Sequence, residues 1–502
     1  MEKQVKSKQR VFEHGEVFTN EREVRAMCDL VKSETEKIGS RFLEPACGNG
    51  NFLAEILTRK LNTVKRKYKG NDIEYELYSV LSVTSIYGVE LLSDNADECR
   101  KRLFDIWNNE CLRNCKTVKD ECRKFVEFVL GRNILCADAL TMLKDDGKPI
   151  VFSEWTLASN NNILNYDFKF DDLLNENTNK TNMNFDVIIG NPPYQHNDGG
   201  NGASASPIYH LFVEKAIRLN PRYITMIIPA RWYAGGKGLD KFRKAMLNDE
   251  HLREIDDFVS ANDCFSDVKI KGGVCYFLWD REYEGDCTVV SHKRDRIISK
   301  AKRALLEYGN DTFIRYNEAV SIFRKVKRLN EPTFDLLVSA RKPFGFATNF
   351  SDYSKKSSDV QNIAVYAHKD KGFISKKSVI KNYDWIDKWK LYIPEAIGHG
   401  NMAHDVVKPI IGQPNTVCTE TYIVIGPFDD ENTVKNIKSY VETKFFHFLL
   451  GLKKITQHTT AKTYTFIPQQ DFSKPWTDEE LYLKYRLSKR EINYIENSVR
   501  TS

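Results

Sequence analysis

An Asn-Pro-Pro-Tyr turn at residues 191–194 is the part of the sequence best suited to chemistry. It follows the apolar run Val187–Ile189 and Gly190, which is typical of a buried strand in a parallel sheet. Two prolines end such a strand, because neither has a backbone N–H and each fixes its own φ. Asn191 and Tyr194 are therefore predicted at the carboxyl end of a strand, where open α/β sheets bind ligands. An amide oxygen, proline carbonyls and an aromatic face suit a planar ligand with an exocyclic amino group.

A glycine-containing turn between a strand and a helix is the second candidate site. Residues 41–53 read R-F-L-E-P-A-C-G-N-G-N-F-L. Phe42 and Leu43 end a short apolar strand, and helical apolar spacing follows over Phe52–Leu61. A unit of strand, glycine turn and helix lets the backbone approach a nucleoside ligand closely. Taken alone, the turn is equally consistent with phosphate binding, dinucleotide binding or simple chain reversal.

Two acidic residues stand at the ends of further predicted strands. Glu90 closes the short run that begins at Tyr87, and Asp138 closes the apolar run that begins at Asn133. In nucleoside-binding α/β domains, a carboxylate at the end of the second strand holds the ribose diol. Either acid alone is more often a helix cap or a solvated strand end. Their order, between the glycine turn and the Asn-Pro-Pro-Tyr turn, favours a nucleoside-type cofactor site.

Together these motifs resemble the S-adenosylmethionine-dependent DNA adenine-N6 methyltransferases of bacterial restriction–modification systems. The resemblance covers nearly the whole chain and is closest to the gamma arrangement, in which the target-recognition domain comes last. It implies S-adenosyl-L-methionine as the cofactor, double-stranded DNA as the substrate and methyl transfer to the N6 of a flipped adenine. A separate cognate restriction endonuclease is a further partner that the resemblance leaves open.

The resemblance also implies roles for individual residues. The implied catalytic residues are Asn191, Pro192, Pro193 and Tyr194. The implied cofactor-binding residues are Phe18, Thr19, Glu44, Pro45, Ala46, Gly48, Gly50, Phe52, Glu90, Asp138 and Asn191. The residues expected to hold the flipped base are Tyr194 and Phe265. Asn20 and Cys47 depart from the commoner family pattern, and no metal site is expected.

Composition sets broad limits on the protein. The 502 residues are 41% hydrophobic and 12% aromatic, which is ample for folded cores in two or three domains. The formal net charge of +6 is compatible with nucleic-acid binding without requiring it. The eleven cysteines show no paired CxxC motif, so free thiols are expected. No apolar run of about 18 residues and no signal-like leader occur, so a cytoplasmic protein without a membrane partner is expected.

Strand-like and helical segments alternate as in an α/β, doubly wound, Rossmann-like methyltransferase sheet, followed by an α+β target-recognition domain. The predicted domains are an N-terminal helical cover of the cofactor site (1–40), the methyltransferase domain (41–285) and the target-recognition domain (286–502). The segment Thr156–Asn184 is predicted to be a surface insertion, and Gln195–Ser206 a flexible lid after the catalytic turn. The carboxyl region contains a Gly-His-Gly turn at 398–400 and a polar, basic, turn-prone segment at 453–462. This region as a whole is predicted to bind phosphates and read bases of DNA.

Three other functions remain open on the sequence alone. Asn-Pro-Pro-Tyr also occurs in methyltransferases that act on release-factor glutamine or on ribosomal RNA, which are generally shorter after this motif. A fused restriction nuclease and methyltransferase is the second alternative, although 40 residues before the glycine turn cannot hold a nuclease domain. The third is a non-enzymatic DNA-binding or immunity protein on a decayed core, against which the intact catalytic turn argues.

Overall fold

The computed structural model of the protein divides into two compact units, Met1–Phe313 and Ile314–Ser502. The structure describes residues 4–159, 162–174, 183–196, 206–236, 238–268, 270–368, 370–396, 407–454 and 459–499. Parts of several predicted features lie outside these residues: 160–161 and 175–182 of the insertion, 197–205 of the predicted lid, the turn at 398–400, and 455–458 of the basic stretch.

The first unit alternates strands and helices along most of its length. Its helices are α1 (Lys8–His14), α2 (Glu21–Leu30), α3 (Lys32–Thr35), α4 (Asn51–Tyr68), α5 (Asp72–Thr84), α6 (Ser93–Asn114), α7 (Asp120–Asn133), α8 (Tyr209–Arg218) and α9 (Asp240–Leu247). Its strands are β1 (Phe42–Glu44), β2 (Ile86–Glu90), β3 (Ile134–Cys136), β4 (Val151–Leu157), β5 (Ile163–Lys169), β6 (Val187–Gly190), β7 (Gln195–His196), β8 (Ser206–Pro207), β9 (Tyr223–Pro229), β10 (Leu252–Phe258), β11 (Val274–Asp280), β12 (Cys287–Lys293) and β13 (Arg296–Arg303).

Nine of these strands form one sheet in the order β13-β12-β10-β11-β9-β6-β1-β2-β3. Strands β3, β2, β1, β6 and β9 are parallel, and β11 is antiparallel to both of its neighbours. From β1 the chain moves outward through β2 and β3, whereas β6 and β9 continue on the other side of β1. The order therefore reverses between β1 and β6, and ligands of such doubly wound sheets bind beside this reversal, at the carboxyl ends of the strands. The expected α/β fold is confirmed.

Apolar residues at helical spacing predict the helices beside the reversal between β1 and β6. In α4, Leu53, Ile56, Leu57 and Leu61 are all buried, as their helical spacing predicts. Within the predicted N-terminal cover, the sequence pattern over Glu21–Thr35 predicts one amphipathic helix. The structure has two, because Val31 adopts φ −119° and ψ 35° between α2 and α3.

The predicted boundary near residue 285 lies inside the first unit. Strands β12 and β13 form an antiparallel hairpin, and β12 pairs in parallel with β10 at the edge of the main sheet. Residues 286–313, assigned above to the target-recognition domain, therefore belong to the first unit. The sequence did not predict this membership, because β13 is an exposed edge strand rich in lysine and arginine and lacks the apolar run of a buried strand.

The predicted insertion at 156–184 also contains regular structure. Strand β5 and the preceding β4 form an antiparallel hairpin. The hairpin packs on the main sheet through aromatic side chains: the Phe152 ring meets the Tyr87 ring at 5.4 Å and the Phe170 ring at 5.3 Å. Part of the segment is thus a packed element, not a surface loop.

The second unit is an α+β unit, as expected for the carboxyl region. Its helices are α10 (Asn317–Lys327), α11 (Glu431–Val441), α12 (Lys444–Lys453), α13 (Asp478–Lys484) and α14 (Lys489–Ser498). Its strands are β14 (Ile363–Ala367), β15 (Asp370–Ile374), β16 (Trp389–Pro394), β17 (Ile410–Gly412), β18 (Thr416–Cys418) and β19 (Tyr422–Phe428). They form two three-stranded sheets, β15-β14-β18 and β17-β16-β19. Among the described residues of the whole chain, no helix is long and apolar enough to span a bilayer.

Candidate functional site

A cavity of about 240 Å³ opens at the carboxyl edge of the sheet, beside β1, β2 and β6. Eleven of the predicted site residues line it: Phe18, Thr19, Glu44, Pro45, Ala46, Gly48, Phe52, Glu90, Asp138, Asn191 and Pro193. The amino-terminal motif (residues 14–19), the glycine turn, both strand-end acids and two residues of the Asn-Pro-Pro-Tyr turn therefore meet in one place. Gly50, Pro192, Tyr194 and Phe265 do not line this cavity.

The amide of Asn191 is held in one orientation. Its Nδ2 donates a hydrogen bond of 2.9 Å to the carbonyl oxygen of Val17. This bond occupies the donor side of the amide, so Oδ1, which has no partner among the described residues, remains as an acceptor. A second contact places the same segment against the turn: a Cβ at Gly15 would lie 3.5 Å from Pro193 Cβ. The amino-terminal motif thus orients the catalytic turn, a role that the sequence alone did not indicate.

Glu44 is the most deeply buried acid in the cavity wall, with 2% of its surface exposed. Its Oε2 is buried without a hydrogen-bond partner, and its side chain lies against the end of β6, where a Cβ at Gly190 would approach Glu44 Cγ to 3.2 Å. Burial raises the pKa of the Glu44 carboxyl well above its ordinary value. A buried, unpartnered carboxyl oxygen of this kind fits a ligand that brings a positive charge or an N–H donor.

Glu90 is held by the glycine turn and by the start of α6. Its Oε2 accepts a hydrogen bond of 2.8 Å from the backbone N–H of Gly48, and its Oε1 accepts one of 3.0 Å from the N–H of Leu92. Asn95 donates to Glu90 at 3.4 Å and to Glu16 at 2.7 Å, so it joins the two acids. Burial raises the pKa of Glu90, while these donors act in the opposite direction. Glu90 therefore shapes the glycine turn as well as lining the cavity.

Asp138 lies two residues beyond the end of β3. Its Oδ1 accepts hydrogen bonds from the backbone N–H of Leu140, at 2.8 Å, and of Thr141, at 3.4 Å. These bonds close an Asx-type turn. The other carboxylate oxygen has no partner among the described residues, so it can accept a hydrogen bond from a ligand.

Among the described residues, the ionisable side chains of Asp, Glu, Lys, Arg and His type that line the cavity are all acidic. Four carboxyl groups line it, those of Glu16, Glu44, Glu90 and Asp138, and none of the described lining residues is lysine, arginine or histidine. Within the part of the chain that the structure describes, Glu16 alone of the four has an ion-pair partner, Arg10, at 2.9 Å. The wall thus favours a ligand that carries positive charge, and aromatic and small apolar side chains complete it.

Tyr194 and Phe265 meet next to the cavity, not within it. Their ring centroids are 6.2 Å apart with planes at 85°, an edge-to-face contact that leaves no parallel slot between them. The Tyr194 ring also meets the Tyr209 ring edge-on at 6.4 Å. The hydroxyl of Tyr194 is buried without a hydrogen-bond partner. The two residues predicted to hold a base are therefore neighbours, but the gap that a base needs is not formed.

Gly50 has a packing role in place of the predicted cavity contact. Its φ is +82°, and a Cβ there would lie 2.6 Å from Cys99 Sγ on α6. Gly48, with φ +51°, lies against the Phe18 ring, which a Cβ would approach to 3.1 Å. The two glycines let the turn fold tightly beneath α6 and the amino-terminal motif. Cavity residues that sequence reasoning missed include Asn95, Ile208 and Phe212, which lie outside every predicted motif. Glu16 and Val17 belong to the amino-terminal motif at 14–19, but neither of them was assigned a role of its own from the sequence.

Comparison with known proteins bears on this site directly. Residues 84–265 match the sequence model of the family described as Eco57I restriction-modification methylase. This segment is therefore similar to restriction–modification methylases. The expected resemblance to such methylases is confirmed over this segment, which contains Glu90, Asp138, the Asn-Pro-Pro-Tyr turn and Phe265. The glycine turn at Glu44–Gly50 lies before the matched methylase segment.

Two curated relatives match parts of the chain. A protein of Mycoplasma pneumoniae named "Uncharacterized adenine-specific methylase" is 47% identical over 118 residues, which are 22% of this chain and 28% of that protein. The "Type II restriction enzyme and methyltransferase RM.Eco57I" of Escherichia coli is 23% identical over 261 residues, which are 46% of this chain and 24% of that protein. The chain thus spans about a quarter of the length of each of these relatives.

Solved structures of restriction–modification enzymes also align with the chain. The type IIL enzyme MmeI in complex with DNA aligns with a TM-score of 0.45 and 13% identity over 92% of this chain and 69% of that one. The DrdV–DNA complex aligns with a TM-score of 0.47 and 13% identity over 97% of this chain and 57% of that one.

Proposed function

We propose that the chain is a sequence-specific DNA methyltransferase of the gamma arrangement, which moves a methyl group from S-adenosyl-L-methionine to the N6 of a flipped adenine. The observation that carries the proposal is the fixed amide of Asn191. Its donor side is bound to Val17, and its acceptor side remains available beside a cavity lined by four acids. An oriented acceptor next to a cation-binding cavity is what methyl transfer from a sulfonium to an amino group requires.

The cavity residues fit the cofactor by their chemistry. S-adenosylmethionine carries a sulfonium and an ammonium, and it supplies the activated methyl group when bound. The buried Oε2 of Glu44, which has no partner among the described residues, would meet that positive charge. Glu90 would accept from the ribose hydroxyls, and the free oxygen of Asp138 would accept from the adenine amino group. Phe18 and Phe52 supply apolar surface to the same wall.

Catalysis would rest on the geometry of the turn. The lone pair of the adenine amino group is delocalised into the ring, so N6 is a poor nucleophile. Asn191 Oδ1 and the carbonyl oxygen of Pro192, accepting its two N–H bonds, would favour a pyramidal nitrogen whose lone pair is free to attack. A target base in duplex DNA must first leave the stack, at a cost of a few kcal/mol. Tyr194 would then stack on it, after the edge-to-face contact with Phe265 opens.

We further propose that the second unit, Ile314–Ser502, is the target-recognition domain. It is a separately folded α+β unit with its own hydrophobic cores and lies outside the matched methylase segment. Base reading requires polar side chains such as Gln, Asn and Arg in the DNA grooves, and phosphate binding requires Lys and Arg. The DNA sequence that this unit recognises would be identified from the pattern of methylated adenines.

The test is methyl transfer by the purified protein. Wild type, Asn191→Ala and a matched control, Asn114→Ala, are incubated with labelled S-adenosylmethionine and bacterial DNA that lacks adenine methylation. Asn114 lies at the end of α6, where its amide nitrogen donates to Glu110, and it does not line the cavity. Wild type and control are expected to label the DNA at N6 of one sequence, as read by long-read sequencing. Asn191→Ala is expected to lose at least a hundredfold in rate while still binding cofactor. Equal rates for all three proteins would refute the catalytic assignment.

A further inference from the structure

The β12–β13 hairpin carries a dense cluster of cations that the proposed catalytic site leaves unexplained. Six of the eleven residues from 293 to 303 are lysine or arginine, and one is acidic. We propose that the tip of this hairpin, Lys293–Arg296, binds the phosphate backbone of double-stranded DNA beside the target base. The inference rests on the proposed function and adds to it a DNA contact within the first unit, separate from the proposed target-recognition domain.

Strand direction places the tip at the catalytic edge of the sheet. β6 and β9 are parallel, β11 is antiparallel to both β9 and β10, and β12 is parallel to β10. β12 therefore runs in the same sense as β6, so both strands end at the same edge. The catalytic turn leaves that edge after β6, and the hairpin tip leaves it after β12.

The strand pairing sets the distance between the two features. The register runs Gly190↔Met226, Met226↔Phe277, Phe277↔Ile255 and Ile255↔Val289. Val289 is thus level with the last residue of β6, and Lys293 lies four residues further towards the carboxyl edge. The path from β6 to β12 crosses four strand spacings of about 4.8 Å each, or about 19 Å in total. The tip is therefore roughly 20 Å to the side of the catalytic turn.

Contacts with the segment that carries Phe265 hold the tip in place. The backbone N–H of Arg294 donates to the Asp263 carboxylate at 2.8 Å. Asp295 pairs with Arg22, which also donates to the carbonyl oxygen of Asp263. Two residues after Asp263 stands Phe265, whose ring contacts the ring of the catalytic tyrosine. The tip is thereby tied to the same segment that packs against the catalytic turn.

The tip cations are available to a ligand, whereas other cations of the hairpin are engaged. Lys293, Arg294 and Arg296 are exposed, and none has an acidic partner among the described residues. By contrast, Lys300 lies 3.8 Å from Glu254, and Lys302 lies 5.4 Å from the centre of the Tyr283 ring. Three neighbouring cations on a tethered turn repel one another, and an anionic polymer would relieve that repulsion.

The dimensions of B-form DNA match this arrangement. A lateral distance of about 20 Å corresponds to about six base pairs at 3.4 Å each, which is roughly half a helical turn. With the target adenine at the catalytic turn, the tip would meet phosphates about half a turn away. Phosphate contacts fix the position of the duplex without reading its sequence. The hairpin would thus hold the DNA in place while the target base is extruded.

Salt-dependent DNA binding by the full-length protein tests the proposal. The tip variant is Lys293→Gln/Arg294→Gln/Arg296→Gln, and the probe is a labelled 30-bp duplex of mixed sequence. Each phosphate contact contributes about −0.9 to the slope of log K against log salt, so the tip variant is expected to bind with a slope shallower by roughly 2–3. Its Kd at moderate salt is expected to rise on the order of tenfold or more, equally for unrelated duplex sequences.

Two matched variants distinguish the effect of where the cations lie from the effect of how much positive charge is removed. Lys65→Gln/Arg66→Gln/Lys67→Gln removes the same three charges from the last turn of α4, which runs from the glycine turn back to the opposite edge of the sheet. It is expected to keep the wild-type slope. Lys293→Arg/Arg294→Lys/Arg296→Lys retains the tip charges and is also expected to keep it.

The outcomes distinguish the proposed hairpin contact from the proposed methyltransferase function. A wild-type protein that transfers no methyl group to any DNA would overturn the proposed function, and the hairpin contact with it. A wild-type protein that methylates DNA, together with a tip variant whose slope and Kd equal those of wild type, would overturn the hairpin contact alone. The same conclusion would follow if the α4 variant lost as much of the slope as the tip variant.

Discussion

At the scale of single residues, the chemistry of the site depends on polar atoms whose partners are incomplete. Asn191 has its donor side bound and its acceptor side open, and Asp138 has one of its two oxygens engaged. Glu44 Oε2 and the Tyr194 hydroxyl are buried with no hydrogen-bond partner among the described residues. Buried polar groups are normally satisfied, so an exception in the wall of a cavity suits a ligand that supplies the missing partner.

Glu44 gives the clearest test of this view. Its pKa is raised chiefly by burial, with repulsion from Cys99 and Glu90 adding to it and Arg102 opposing it. The folded state therefore holds a proton that the unfolded state releases. Stability without ligand is full below the ordinary carboxyl pKa and declines as pH rises towards the raised value. A cationic ligand reverses this preference by favouring the carboxylate.

Glu44→Gln is accordingly expected to raise the stability of the ligand-free protein and to weaken its binding of the cofactor. At pH 8, the free energy of unfolding without ligand should rise, because glutamine replaces a buried carboxyl whose charged form is disfavoured by burial. The affinity for S-adenosylmethionine should fall tenfold or more, and the wild-type affinity should rise with pH where the variant's does not. Urea unfolding and calorimetry at pH 5 and pH 8 measure both effects. Glu127→Gln, an exposed acid on α7, is the control. A variant that binds the cofactor as tightly as wild type would contradict the assignment of Glu44.

Sequence patterns located most of the predicted residues that line the cavity but not how their side chains are oriented. Glu44, Glu90, Asp138 and Asn191 could be predicted because each stands where an apolar strand ends, a position set by local sequence. The hydrogen bond from Asn191 to Val17 joins residues 174 positions apart, and no local pattern contains it. The edge-to-face contact of Tyr194 with Phe265 likewise depends on packing between distant segments.

At the scale of elements, the glycine turn shows how backbone geometry positions the site. The turn joins β1 to α4, and its Gly48 N–H binds Glu90 at the end of β2. This one contact couples two strand ends to the cavity wall. It requires the chain to turn sharply beneath α6, which it does at Gly48 and Gly50, both with positive φ.

Gly50→Ala is expected to destabilise the first unit by about 1–3 kcal/mol. The substitution combines an unfavourable positive φ with a Cβ placed 2.6 Å from Cys99 Sγ. Gly131→Ala is the matched control: it lies inside α7 with open space around its Cα, and alanine there should stabilise by about 0.5–1 kcal/mol. Chemical unfolding of both variants measures the difference. The double variant Gly50→Ala/Cys99→Ala should recover part of the loss. Equal stability of Gly50→Ala and wild type would show that the turn tolerates a side chain.

Elements with a clear apolar pattern were predictable, and those without one were not. The central strands β1, β2, β6 and β9 are buried on both faces and appear in the sequence as short apolar runs. The hairpins β4–β5 and β12–β13 were missed because each has exposed, polar positions that resemble those of a loop. Their strand character comes from pairing with distant residues, which composition does not reveal.

At the scale of the whole molecule, the position of the domain boundary decides which fragments can function. Phe313 is fully buried, and its ring contacts the ring of Tyr233 at 4.7 Å, so the first unit extends to the end of this segment. A chain cut at residue 285 would lose β12 and β13 and leave β10 as an open sheet edge. Open edges of this kind pair with other chains and cause aggregation.

Two truncations are expected to behave differently for this reason. The fragment 1–313 should be soluble, show a cooperative thermal transition and bind S-adenosylmethionine with nearly the affinity of the full chain, because every cavity residue is present. The fragment 1–285 should aggregate. If Ile314–Ser502 is the target-recognition domain, the fragment 1–313 should also lose sequence-specific methylation while retaining weak, salt-sensitive DNA binding through the hairpin tip. Light scattering, calorimetry and methylation sequencing measure these properties in turn.

A folded 1–313 fragment that methylates the same sequence at the full-length rate would show that the second unit is not the reader. Recognition would then have to be sought in the first unit itself, beginning with the segments on either side of the catalytic turn.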